Sequence, residues 1–145
     1  MSTRTRVKVI RPILIAMGIY LLIIGLGHIF FPDATHEAVG GGEIFDPNHP
    51  WMKIASREMG VLFFVIGVAA CIAAIEPLKR KWLVFIVVLA SILSDVIRGI
   101  GVFSGEACPG LWWVIIISIV LWLPIVIFYP YKEAKEEKKD KVDTV

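Results

Sequence analysis

Four stretches of this chain are each apolar over about 20 residues or more, the length a helix needs to cross roughly 30 Å of hydrocarbon. The first runs from about Pro12 to Phe31, with a proline suited to a first helical position and Pro32-Asp33 closing the segment. The second, about Pro50 to Ile75, is entered through Asn48-His49-Pro50-Trp51 and ended by Glu76-Pro77. The third covers Trp82 to Phe103 and the fourth Leu111 to Tyr129, with Pro124 expected to bend it by removing one backbone hydrogen bond. Lipid offers no partner to a bare backbone group, so spans of this kind must be helical. The expected fold is all-α: an integral membrane four-helix bundle with antiparallel up-down topology, a single domain over residues 1–131 followed by a charged tail over 132–145.

Composition agrees with that reading, at 57% hydrophobic, 19% charged and a mean hydropathy of +0.77. It excludes disordered, collagen-like and nucleic-acid-binding chains. A secretory signal peptide would have a shorter apolar stretch and a small-residue cleavage site, so the first span is read as retained. Two cysteines build no disulfide scaffold, and Cys71 and Cys108 fall at opposite ends of their spans, too far apart to bridge. Cys71 reads as a small core residue and Cys108 as a free thiol.

The basic residues are unevenly placed. Arg4, Arg6, Lys8 and Arg11 precede the first span, Lys79, Arg80 and Lys81 join the second to the third, and five lysines follow the fourth, whereas the opposite side has only Lys53 and Arg57. By the positive-inside rule both termini are expected to be cytoplasmic. Trp51, Trp82, Trp112, Trp113 and Tyr129 fall near span ends as interfacial anchors do, while Trp122 lies deeper.

Ionisable groups inside a span are costly and are the best pointers to a site. Arg57 and Glu58 lie about 10 Å beyond Trp51, and Asp95 and Arg98 are three residues apart on one face of the third span. Counted back from the short inner connection, Glu58 and Arg98 sit at about 27 and 24 Å, nearly one depth. His28 approaches the same level. The expectation is a cluster of His28, Arg57, Glu58, Asp95 and Arg98 facing the bundle, with Glu58 in salt-bridge reach of Arg98, either stapling helices together or forming a polar pocket for a small ligand, a quinone headgroup or a proton. No histidine pair has the spacing of a helical zinc motif, so no metal is expected, and haem held by two histidines is disfavoured.

Gly18 and Gly25 are seven apart in the first span, as are Gly60 and Gly67 in the second, so each pair marks one helix face of close backbone approach. Each face should meet a helix, of this chain or another. The segment from Asp33 to His49, with Gly40-Gly41-Gly42-Glu43, reads as a lid over the outer end of the bundle or a simple loop, and is no phosphate loop. The tail alternates five lysines with five acidic residues and reads as a solvated helix extension or a docking segment. The fourth span, with Ser118 as its only hydroxyl before Tyr129, is expected to pack without supplying site chemistry.

Three motifs resemble the DoxX-like superfamily of small four-helix membrane proteins: a glycine-rich first span ending in proline (Gly25 to Pro32), Arg57-Glu58-Met59-Gly60 at the head of the second span, and Arg98 followed by Gly99 and Gly101. The resemblance covers roughly residues 12 to 130. Some members are described as membrane subunits of quinone-linked oxidoreductases, which implies an accessory or anchoring subunit more readily than a free-standing enzyme. No nucleophile-base pair, metal motif or cofactor fingerprint can be assembled, so no catalytic residue is assigned. The leading expectation is a non-catalytic or accessory subunit in the cell's cytoplasmic membrane, with the lipid bilayer and a homo-oligomer or other membrane subunits as partners and no nucleic acid. The alternatives are a quinone- or small-ligand-binding redox protein and, last, a small proton-coupled carrier.

Overall fold

The computed structural model describes residues 3–38, 50–105 and 111–130, which form five helices: α1 (Thr3–Phe30), α2 (Pro32–Ala38), α3 (Pro50–Ile75), α4 (Lys81–Phe103) and α5 (Leu111–Phe128). All but α2 are long and apolar enough to cross a membrane. The chain is thus built as a multi-pass membrane protein. The glycine run of the proposed lid, Cys108 and the charged tail lie outside the described residues.

Each long helix turns one narrow stripe inward. On α3 the buried positions Ser56, Gly60, Phe63, Gly67, Ala70 and Ala74 follow alternating steps of four and three, with Ala73 buried beside the last. On α5 they are Ile115, Ser118 and Ile125, with Trp122 half-buried between them and the buried Tyr129 just past its end continuing the spacing. Such a seven-residue repeat keeps one seam facing a neighbour over many turns. Large apolar side chains off these stripes, such as Ile23, Leu62, Ile97 and Val120, are exposed, as a surface solvated by lipid tails allows.

The glycines define the tightest contact. A Cβ on Gly25 would lie 2.8 Å from the Gly60 carbonyl oxygen, one on Gly60 would lie 2.7 Å from the Gly25 oxygen, and one on Gly67 would lie 2.9 Å from the Gly18 oxygen. Gly18 therefore faces Gly67 and Gly25 faces Gly60, which makes α1 and α3 antiparallel with their backbones in contact. Both glycine faces are consumed by each other. Each glycine face thus meets a helix of this chain, and neither is left over for a second one.

α3 and α4 are joined by the tight turn after Ile75, and α4 and α5 also pack together, with the Phe103 and Trp112 rings edge to face at 5.2 Å. α5 returns to α1, closing a ring of four. At the end where α1 begins, an apolar core gathers Ile10, Leu14 and Met17 with Ala70, Ala73, Val84, Val87 and Ile125. There the Tyr129 hydroxyl donates to the Pro77 carbonyl at 2.8 Å and Arg11 donates to the Ile75 carbonyl.

Two local readings are corrected. Pro12 does not begin a helix but lies inside α1, which continues upstream through the basic segment to Thr3. The proline leaves the Lys8 carbonyl without its helical donor, and one missing bond near a helix end is tolerated. Pro32 ends the first span as expected, yet it opens α2 instead of a loop. With no N–H to satisfy, it suits a first helical position, and Thr35 N–H donates back to the Phe31 carbonyl at 2.9 Å.

Candidate functional site

The polar residues inside the bundle fall into two groups joined by one aromatic ring. On α4, Ser91, Ser94, Asp95 and Arg98 are spaced so that they share a face. Asp95 is 7% exposed and fully engaged: Arg98 Nη1 donates to Oδ1 at 3.2 Å, and Trp122 Nε1, from α5, donates to Oδ2 at 2.8 Å. The guanidinium of Arg98 lies over the ring of Phe63 on α3, 5.5 Å from its centroid, a cation–π contact. Tyr20 of α1, Ser94 of α4 and Ser118 of α5 join Arg98 around a cavity of ≈ 20 Å³, which is room for about one water molecule. The Ser91 hydroxyl donates to its own helix at the Val87 carbonyl, 2.9 Å.

The second group lies where α1, α2 and α3 meet. Ser56 is 2% exposed, and its Oγ is 2.9 Å from His28 Nδ1 and 3.2 Å from His36 Nε2, with the two imidazoles edge to face at 4.9 Å. A hydroxyl has one proton, so Ser56 can donate to only one imidazole and must accept an N–H from the other. The trio thus fixes opposite roles on the two rings. Outside it, Lys53 pairs with Asp33 at 3.6 Å. Burial pushes the His36 pKa below its ordinary value, against a smaller upward pull from Asp33. His28 also lies 6.0 Å from the Phe63 ring, so Phe63 stands between the histidine trio and the Asp95–Arg98 pair.

Of the five residues expected to cluster, three lie in this layer: His28, Asp95 and Arg98. Arg57 and Glu58 do not. Both are exposed, neither takes part in an ion pair among the described residues, and the expected Glu58–Arg98 bridge does not form. The reason is angular. Depth along a helix says nothing of direction, and with about 100° per residue the inward stripe through Ser56 and Gly60 leaves Arg57 and Glu58 turned away from it. α5, expected to pack only, supplies the indole that holds Asp95 and the Ser118 hydroxyl at the cavity. Ser56, Phe63, Tyr20 and His36 were also missed. Ser56 could have been found four residues before Gly60 on the glycine face, and Trp122 by its depth in an otherwise aliphatic span.

What the site can do follows from how little of it is free. Ser56 beside an imidazole has the donor pattern of an activated nucleophile, but at 2% exposure no acyl substrate reaches it. Among the described residues no group of three or more His, Cys, Asp or Glu side chains could hold a metal ion. Comparison of the chain with models of known families, with curated proteins and with solved structures gives no match.

Proposed function

We propose that this protein is a non-catalytic, accessory subunit of a membrane complex, a four-helix bundle of the DoxX-like kind with up-down topology and both termini on the cytoplasmic side. The observation that carries the reading is that the buried Asp95 and Ser56 are spent on their neighbours: Asp95 on Arg98 and Trp122, Ser56 on both histidines. The room beside them is ≈ 20 Å³. Such a layer pins helices in register and leaves no space for a substrate. The orientation rests on Arg6, Lys8, Arg11, Lys79, Arg80 and Lys81, which share the end of the bundle where Arg11 meets Ile75. Extraction in mild detergent followed by native mass spectrometry tests the proposal. It expects the chain in a homo-oligomer or with larger partners, and a stable monomer in every detergent would overturn it.

A second reading is favoured by the cavity itself. Tyr20, Arg98 and Ser118 offer donors around it, so a small ligand or a quinone headgroup entering there would have to displace Phe63 or Tyr20. Stoichiometric quinone binding by the purified chain, lost in Arg98→Gln but kept in Glu58→Gln, would establish that reading over the first.

A further inference from the structure

At the opposite end from the polar layer, the start of α1 and the α3–α4 turn enclose an open cleft of ≈ 440 Å³ that adjoins a second of ≈ 190 Å³. The first is within the size range of small-molecule sites, about 300–1,000 Å³. Val7 and Leu78 form an apolar floor. Lys8, Arg11 and Lys79 stand around it, against a single carboxylate among the described residues, Glu76. Glu76 is already engaged by Lys79, Nζ to Oε1 2.7 Å. Arg11 gives one donor to the Ile75 carbonyl and keeps the others of its guanidinium. The cleft thus combines an excess of cationic donors with an apolar base, and neither the glycine seam nor the polar layer uses it.

Its level in the bundle identifies the ligand. α1 has 28 residues, about 42 Å at 1.5 Å per residue, against the roughly 30 Å of hydrocarbon that it must cross. Its first turns therefore project beyond the apolar span, and Lys8 and Arg11 come at the boundary. Trp82, 67% exposed at the start of α4, marks the same boundary on that helix. A cationic cleft with an apolar floor at that height meets phosphate from above and acyl chain from below. We propose that this cleft binds the headgroup of an anionic phospholipid, its phosphate held by Lys8, Arg11 and Lys79 and its first acyl carbons lying on Val7 and Leu78.

The site is distinct from the accessory-subunit reading and is tested separately. The full chain, purified in detergent, is given phosphatidylglycerol or phosphatidylcholine and examined by native mass spectrometry for retained lipid. Phosphatidylglycerol should be retained preferentially. The double variant Lys8→Gln/Lys79→Gln should weaken its retention about 25-fold, on about fivefold for each cation near the surface. The double variant keeps Arg11 and its bond to the Ile75 carbonyl, its melting temperature reads any loss of fold separately from loss of lipid, and Arg57→Gln at the far end should change nothing. Equal retention of phosphatidylcholine, or unchanged retention by the double variant, would overturn the proposal. So would displacement of phosphatidylglycerol by an equal concentration of inorganic phosphate, which would assign the cleft to a free anion.

Discussion

The two halves of the bundle are held by different means. Between α1 and α3 polar bonds close only the two ends, His28 to Ser56 and Arg11 to the Ile75 carbonyl, and along the middle four glycines let the backbones touch, with carbonyl oxygens against Cα hydrogens. Between α4 and α5 the contacts are side chains that reach across, Asp95 to Trp122 and Phe103 to Trp112. Lipid tails are as apolar as leucine, so neither seam gains from expelling water. One seam is made by removing atoms and the other by adding polar ones. The first tolerates no growth, and the second no loss.

That contrast can be broken most severely at Arg98. Arg98→Ala leaves the buried Asp95 carboxylate with the Trp122 indole alone, and we predict a loss of about 3 to 5 kcal/mol, read as a fall in the detergent melting temperature. Asp95→Asn/Arg98→Ala should recover much of it, and a double variant as unstable as the single would show that the charge is not what matters. Next comes the glycine seam: Gly25→Ala sets a methyl group against backbone on α3 and should cost about 1 to 3 kcal/mol. Gly99→Ala, with nothing within 4 Å of its Cβ, should be neutral or slightly favourable; equal effects at both sites would contradict the seam. Trp122→Phe removes a hydrogen bond to a charged group, for about 1.5 to 3 kcal/mol. Glu58→Gln should change stability by less than about 0.5 kcal/mol, since Glu58 is exposed.

The smallest effect is on pH. The His36 pKa is lowered by folding from 6.5, so the unfolded chain binds the proton more readily. Stability contributed by neutral His36 is therefore complete above about 6.5 and is lost as pH falls below that value toward the folded pKa. Melting temperatures measured from pH 7.5 down to 5 should decline, with a shallower slope in His36→Gln. A slope that the variant leaves unchanged would remove His36 from the explanation.

How much of this was legible beforehand depended on the dimension in question. Position along the membrane normal can be counted, so the spans and the i,i+3 relation of Asp95 to Arg98 could be read directly. Rotation about each helix axis cannot be counted from one residue, and that is where Glu58 and Arg57 were misplaced. The information was present, because Gly60 and Gly67 mark the inward face of α3 and Glu58 is two residues off it. His36 was illegible for another reason. It reaches Ser56 only because Pro32 starts a new short helix that folds back over α3, a tertiary event with no periodic signal in a seven-residue segment.

The bond from Tyr129 to the Pro77 carbonyl bears on the order in which the molecule is made. Pro77 is buried at the turn between α3 and α4, and its oxygen finds this donor 52 residues later in the chain. During synthesis the α3–α4 hairpin is complete before this donor exists, while α1 can already zip onto α3. Only when the last turn of α5 emerges does the hydroxyl arrive and latch the final helix to a hairpin completed long before. A nascent chain stopped short of residue 129 would contain all four spans and still lack its clasp.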